Sequence, residues 1–147
     1  MKDRKASDQK WREGVRRKAA ELGMSVKAYR ASQWPSALWS YVVEVIRKRC
    51  KKSGVECSIT PALLAGLWDT QGGICPLTGW EMTPRKSGSG LEPRVVSVDR
   101  IEQSKGYVPG NVRLVAFAAN NARYVWSDAT LIELAEAITR QAEKETK

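Results

Sequence analysis

The feature that most constrains the fold of this chain is a change of pattern in its second half. Residues 94–101, RVVSVDRI, and residues 111–115, NVRLV, are rich in β-branched side chains and favour two short strands. Between them lies a loop that contains glycine and proline, and after them AFAANNARYVW, residues 116–126, continues as a helix. The order strand, loop, strand, helix predicts a ββα unit over residues 94–126.

The remaining segments are predominantly helical, so the predicted fold class is α+β. Serine, threonine or aspartate precedes each apolar-periodic segment, and glycine ends most of them. Residues 74–82, ICPLTGWEM, favour a further short strand, and residues 83–93 are expected to form a Gly/Ser-rich loop. We therefore predict three regions: basic helices over 1–59, a module at 60–126 that contains the ββα unit, and a C-terminal amphipathic helix over 127–147 that packs on the module.

The net charge of +9 is confined to the N-terminal part of the chain. Residues 1–60 hold 15 Lys and Arg against 6 Asp and Glu, whereas residues 61–147 hold 10 of each. Segregated positive charge suits a polyanion such as nucleic acid, because phosphate neutralisation releases counterions. The predicted contacts are Arg47, Lys48 and Lys51; the alternative is a basic segment that only improves solubility, or that complements the dipole of its own helix.

The absence of histidine restricts the metal chemistry. Cys50, Cys57 and Cys75 form no CxxC pair, so a structural zinc site is not expected. We expect the three cysteines to be reduced thiols. No apolar run reaches the length of a membrane span and the N-terminus is polar, so we expect no membrane partner and a cytoplasmic location.

Three polar residues of the ββα unit have the chemistry of a divalent-ion site. Asp99 ends the first predicted strand, Asn111 opens the second and Asn120 lies on the helix. Carboxylate and amide oxygens without histidine favour Mg²⁺ or Mn²⁺. The alternative is that these residues are ordinary turn and cap residues.

The stretches QGGICPLTGWEM, SVDRI, KGYVPGNVRLV and ANNAR resemble the HNH, or ββα-metal, nuclease family, in particular its phage-borne and homing-type members. The resemblance covers residues 71–126. It implies a metal-dependent endonuclease that hydrolyses phosphodiester bonds in DNA, encoded by a phage or mobile element and acting in the host cytoplasm. A homodimer would suit a double-strand cut.

The resemblance also implies roles for individual residues. Asp99 matches the metal-binding acid, Asn120 matches the second metal ligand, and Asn111 matches the asparagine that ties the loop and orients the base. Asn121 becomes the second ligand if the alignment is displaced by one residue.

Arg100 stands where active members of the family usually have the general-base histidine. Arginine stays protonated at any working pH, so Arg100 cannot take a proton from water, but it could bind the scissile phosphate. The candidates for the base are Tyr124, Tyr107 and a metal-bound water. A spacing of four residues predicts that Tyr124 shares the helix face of Asn120; the alternative is that it packs against the C-terminal helix.

Three further cations, Lys105, Arg113 and Arg123, flank the predicted site and could contact DNA phosphates or be ordinary surface charges. Two other functions remain open from the sequence. One is a nucleic-acid-binding protein on an inactive nuclease fold, which the charge distribution fits equally well. The other is a protein-interaction module that uses the tryptophans and the C-terminal helix.

Overall fold

The computed structural model describes residues 4–32, 36–84 and 92–145. The chain divides into two compact units, residues 1–73 and 74–147. Within the described residues, the first unit holds four helices: α1 Arg4–Glu21, α2 Val26–Ser32, α3 Ser36–Ser53 and α4 Pro61–Gln71. The described part of the second holds two strands and two helices: β1 Val96–Arg100, β2 Val112–Ala116, α5 Phe117–Arg123 and α6 Asp128–Glu145.

The first unit is built on apolar contacts between α3 and α4. Trp39 of α3 and Trp68 of α4 are both buried, and their ring centroids lie 6.2 Å apart. An aromatic side chain of this size buries about 150–250 Å². Arg47 adds a polar tie, because its guanidinium donates to the backbone oxygen of Ile59 at 3.1 Å.

The ends of α4 and the start of α6 follow the sequence rules, whereas α1 begins at Arg4 and not after an aspartate cap at Asp8. Thr60 caps α4, with its side-chain oxygen accepting from the backbone N–H of Leu63 at 3.1 Å, and Pro61 occupies the first turn. Gly72 closes the helix in the left-handed conformation, with φ at 61°. Ser127 caps α6 through the N–H of Thr130 at 3.1 Å. These predicted caps are confirmed.

The second unit is organised by the antiparallel pairing of β1 with β2, which confirms the α+β class. In the register Asp99 lies opposite Arg113, and Val98 lies opposite Leu114. Alternation along each strand puts Ser97 and Asp99 on one face of the ribbon. Helix α5 follows β2 without a loop and contacts both strands, so it covers that face.

Three features of the structure differ from the sequence prediction. Helix α4 contacts α2 and α3 and lies in the first unit, whereas the boundary predicted at residue 59/60 put it in the module. Residues 74–82 form only an isolated bridge between Ile74 and Glu81, because the segment turns back on itself: the N–H of Gly79 donates to the backbone oxygen of Cys75 at 2.9 Å. Helix α5 ends at Arg123, since Tyr124 leaves helical geometry. The Gly/Ser-rich loop predicted at 83–93 falls mostly outside the described residues.

Helix α6 makes its contacts with the unit at its first turn. None of its described residues is buried, and Ile132, Leu134 and Ile138 are exposed. Asp128 connects the start of α6 to β2 and α5 by hydrogen bonds, and the packing of the rest of this helix on the module stays a prediction. In the part of the chain that the structure describes, no helix combines the length and apolar character needed to cross a membrane.

Candidate active site of the ββα unit

A closed ring of four charged side chains lies at the centre of the ββα unit. Asp99 accepts from Arg113 at 2.9 Å through one oxygen and from Arg123 at 3.0 Å through the other. Asp128 accepts from Arg113 through both oxygens, at 2.7 and 2.6 Å, and from Arg123 at 2.6 Å. Two carboxylates and two guanidinium groups therefore neutralise each other within one cluster, which we call the ion-pair ring.

Each member of the ring comes from a different element, and local structure explains its position. Asp99 and Arg113 are cross-strand partners in the β1–β2 register. Arg123 occupies the last turn of α5, and it also donates to the backbone oxygens of Arg100 and Ile101 at 3.0 and 2.6 Å. Asp128 begins α6, where a carboxylate also complements the helix dipole.

The ring is buried on one side and open on the other. The side chains of Asp99 and Arg123 are 1% and 3% exposed, whereas that of Asp128 is 39% exposed. Charges this deeply buried are tolerated only when each is paired and hydrogen-bonded. Removal of one buried member would leave its partners without compensation.

Titration within the ring follows from these contacts. The hydrogen bonds from Arg113 are the largest cause that holds the pKa of Asp128 below its ordinary value, and those from Arg123 act in the same direction. The hydrogen bonds to Asp128 in turn raise the pKa of Arg113. Asp128 and Arg113 therefore both carry their charges at neutral pH.

Asn111 ties the loop between the strands. Its side-chain oxygen accepts from the N–H of Glu102 at 2.9 Å, and its nitrogen donates to the backbone oxygens of Glu102 and Gly106 at 3.1 and 2.9 Å. The side chain is buried, so these bonds replace the backbone pairs that the loop lacks. The structure thus places Asn111 where the resemblance expects a loop-tying asparagine, and its effect on a base stays a prediction.

Arg100 lies on the same loop and makes contacts within it. Its guanidinium donates to the backbone oxygens of Gln103 and Lys105 at 3.0 and 3.3 Å and to the side-chain oxygen of Gln103 at 2.7 Å. The guanidinium carbon also lies 5.1 Å from the ring centroid of Tyr107. Arg100 is half-buried, so part of its charge faces solvent, and its contact with a phosphate stays a prediction.

The arrangement of Asp99 does not fit the predicted Mg²⁺ or Mn²⁺ ion. Both oxygens of this carboxylate accept from arginine, and a dication beside two guanidinium groups would meet strong repulsion. The second predicted ligand, Asn120, donates from its side-chain nitrogen to the hydroxyl of Ser97 at 2.7 Å. Asn121 is exposed. A cation at Asp99 would have to compete with two guanidinium groups for the carboxylate oxygens.

Tyr124 does not continue helix α5. Its φ of 49° and ψ of −113° turn its side chain away from the helical direction, so the spacing of four residues from Asn120 no longer places both on one face. The side chain of Tyr124 is largely exposed, so it does not pack against the C-terminal helix as the alternative expected. Its role as a base stays a prediction, as does that of Tyr107.

The predicted phosphate contacts around the site and on α3 differ in how far they are already paired. Arg113 and Arg123 are not surface cations, because both are committed to the ion-pair ring. Lys105 is exposed and pairs with Glu102 at 2.6 Å. Arg47 is tied to the backbone of Ile59. Of these four, Lys105 therefore has the side chain that a phosphate can reach most readily.

The last two turns of α3 carry a cationic surface that we call the α3 patch. It lines a shallow depression formed by Val45 and four cations, namely Lys48, Arg49, Lys51 and Lys52. Lys48 pairs with Glu44 at 2.7 Å on the open surface, where such a bond is worth little. Lys48 and Lys51 therefore remain candidate phosphate contacts, and Arg49 and Lys52 join them.

Sequence reasoning missed Asp128 and Gln103. An aspartate that follows Ser127 at the start of a helix is explained by capping alone, so nothing marked its pairing with Arg113 and Arg123. Gln103 binds both Arg100 and the backbone oxygen of Tyr124, at 2.7 and 3.3 Å. The second contact spans 21 residues and depends on the path of the loop.

Comparisons with known proteins identify the fold. No protein-family model matches the chain, and no curated protein matches it. Among solved structures the chain is similar to the rare-cutting HNH restriction endonuclease PacI, whose structure was described for its mechanism of DNA perturbation. The match has a TM-score of 0.50 and 22% identity, and covers 74% of this chain and 81% of that chain. The chain has an HNH-like fold.

The ion-pair ring predicts a large loss of stability when Asp99 is changed to asparagine. The substitution keeps the shape of the side chain but leaves Arg113 and Arg123 with less negative charge, so we expect the free energy of unfolding to fall by about 3–5 kcal/mol. Urea denaturation followed by fluorescence measures this change. Glu136→Gln, which breaks the exposed pair with Arg140, is the matched control and should cost less than about 1 kcal/mol. Equal effects of the two substitutions would show that the ring is not a stabilising unit.

The lowered pKa of Asp128 predicts a specific loss of stability in acid. A carboxyl group whose folded-state pKa is depressed contributes stability above its unfolded pKa of about 3.9 and loses it as the pH falls through the folded value. The unfolding free energy of the wild type should therefore fall more steeply below about pH 4 than that of Asp128→Asn. Denaturation curves across this pH range test the prediction, and parallel curves for the two proteins would contradict it.

Proposed function

We propose that this chain is an endonuclease that hydrolyses phosphodiester bonds in DNA and that a phage or mobile element encodes it, to act in the host cytoplasm. The observation that carries the proposal is the loop tie of Asn111, which occurs within an HNH-like fold at the position that the family resemblance assigns to it. The similar solved structure belongs to an endonuclease, which supports the same reaction.

In the proposed reaction, the loop held by Asn111 presents Arg100 to the substrate. The guanidinium of Arg100 has five donors, and three bonds into the loop are in place, so the group is oriented before a phosphate arrives. A cation held in this way would stabilise the negative charge that develops on the phosphate oxygens. Tyr124 or Tyr107 would take the proton from the attacking water.

A divalent ion is a separate part of this proposal. Because Asp99 is paired with two arginines, Mg²⁺ or Mn²⁺ would have to compete with them for its oxygens, and the proposed roles of Arg100 and the tyrosines do not depend on the ion. A nucleic-acid-binding protein that does not cut is the second candidate. The pairing of Asp99 with two arginines favours this non-cutting binder, since both carboxylate oxygens already accept hydrogen bonds from guanidinium groups.

The cleavage assay uses supercoiled plasmid with Mg²⁺, with Mn²⁺ or with EDTA. We expect nicked or linear DNA from the wild type and a rate about 100-fold lower from Arg100→Ala. Gln103→Ala is the matched control, because it removes an acceptor of Arg100 while leaving the charge in place, and it should lose less activity. An intact plasmid under every condition, together with a clear gel shift, would identify the non-cutting binder.

The same assay separates the two roles open to Asn120. Asn120→Ala and Ser97→Ala both remove the hydrogen bond between these side chains, but only the first removes the predicted ligand. If Asn120 holds an ion, its substitution abolishes cleavage and that of Ser97 does not. Equal activities in the two variants would assign Asn120 a packing role.

The α3 patch predicts salt-dependent binding that is separate from cleavage. Lys51→Ala with Lys52→Ala removes two exposed cations, so the slope of log K against log salt should decrease by about 0.9 for each lost phosphate contact. Titration of a labelled duplex at several salt concentrations measures the slope. Lys10→Ala, at an exposed site on α1, is the control. If all three proteins give the same slope, the patch does not contact DNA.

A further inference from the structure

The residues that join α5 to α6 form a turn in which a tyrosine stands at a position that usually holds glycine. The N–H of Trp126 donates to the backbone oxygen of Arg123 at 2.9 Å, so residues 123–126 form a four-residue turn with Tyr124 in its second position. The φ of 49° and ψ of −113° at Tyr124 are those of a type II′ turn, in which that position is normally glycine. Among the described residues, Tyr124 is the one non-glycine residue with positive φ.

The strained conformation is held from both sides. The N–H of Tyr124 donates to the backbone oxygen of Asn120 at 3.0 Å, and its own backbone oxygen accepts from the side chain of Gln103 at 3.3 Å. The preceding residue, Arg123, is fixed in the ion-pair ring. A bulky residue persists in such a conformation only where its surroundings over-determine it, and conformations of this kind occur mostly at functional sites.

The turn displays apolar side chains in place of burying them. Tyr124, Val125 and Trp126 are 70%, 55% and 49% exposed. We call these three consecutive residues the aromatic turn. A glycine at position 124 would relieve the strain, so the backbone conformation does not explain the ring of Tyr124, and the ring of Trp126 is half exposed.

Cations lie on the segment that supports the aromatic turn. Gln103 contacts the backbone of Tyr124 with its nitrogen and the guanidinium of Arg100 with its oxygen, so one side chain links the turn to a charged group. Lys105, exposed on the same loop, adds a second cation. Exposed rings on a turn that one side chain connects to a cation match a nucleotide, which has a stacking base and an anionic phosphate.

We propose that the aromatic turn stacks on nucleobases of single-stranded or locally opened DNA, while Arg100 and Lys105 contact the adjacent phosphates. Base faces are available only where the stack is interrupted, so the turn discriminates unstacked DNA from intact duplex. This inference rests on the proposed function for its ligand, DNA, but it concerns binding and not cleavage.

The experiment measures fluorescence anisotropy of labelled oligothymidylate and of a labelled duplex of equal length, together with the melting temperature of each variant. Tyr124→Gly should raise the melting temperature by about 2–8 °C, because glycine adopts the turn without strain. The same substitution should weaken binding of the single strand about 5- to 100-fold and leave duplex binding within about two-fold. Trp126→Leu, which keeps an apolar side chain but removes the ring, should weaken single-strand binding in the same way.

Two controls separate base stacking from the loss of apolar surface and from the chemistry of the tyrosine hydroxyl. Val125→Ala changes an exposed apolar residue of the same turn that has no ring, and should leave single-strand affinity unchanged. Tyr124→Phe keeps the ring and removes the hydroxyl, so it should retain affinity; a loss of plasmid cleavage in this variant alone would report the hydroxyl as the base.

The outcomes distinguish this inference from the proposed function. Wild-type protein that binds neither oligonucleotide would overturn both. Wild-type protein that binds and cuts DNA, with Tyr124→Gly and Trp126→Leu unaltered in single-strand affinity, would overturn only the stacking role. Sedimentation that shows a wild-type dimer converted to a monomer by Tyr124→Gly, at unchanged affinity, would assign the aromatic turn to a second copy of the chain and would also overturn it.

Discussion

The charge balance among Asp99, Arg113, Arg123 and Asp128 is the interaction on which the second unit depends. The two strands and two helices contribute one member each, and every member binds two others. The strands and α5 also contribute buried apolar side chains, among them Val98, Leu114 and Ala119, whereas no described residue of α6 is buried. A two-stranded ribbon is marginal by itself, so the charged cross-links add to this apolar packing and connect α6 to it through Asp128.

The same balance limits what Asp99 can do in catalysis. Two adjacent guanidinium groups offset the charge of the Asp99 carboxylate and so weaken its attraction for a dication, and its burial limits the access of water to the oxygens. An ion at this position would require a rearrangement that breaks an ion pair and leaves an arginine to find another anion. The ion pairs of Asp99 and the metal binding proposed for it would therefore compete for the same carboxylate.

Much of the fold is accessible from the sequence because it depends on local rules. Thr60 and Ser127 cap helices by contacts within three residues, and the strands around Asp99 and Arg113 follow from β-branched runs and a glycine-containing loop. The position of Asn111 is also predictable, since the family resemblance carries the spacing. These features require no knowledge of how distant segments meet.

The site escapes prediction where it depends on distant partners. The sequence favours Asp99 as a metal ligand and leaves Arg123 as a phosphate contact or surface cation, although the two form an ion pair across 24 residues. The sequence shows that both charged residues are present, but it does not show that the fold brings them together as an ion pair. The pairing of Asp128 with arginine is also not predictable from the sequence, because an acidic residue at the start of a helix is explained equally well by its interaction with the helix dipole. The pairing of charges, and not their identity, distinguishes a ligand from a structural anion.

Tyr124 is the point at which local preference and structure disagree, and the ion-pair ring explains how the disagreement is sustained. Natural sequences break a local rule mainly at functional sites, where another part of the structure compensates. Here Arg123 precedes the strained residue and Asp128 begins the helix that follows, and the two are joined at 2.6 Å. This bond joins the residues on either side of the aromatic turn, whose side chains are exposed. The ion-pair ring therefore also fixes the two ends of the segment that carries the strained residue.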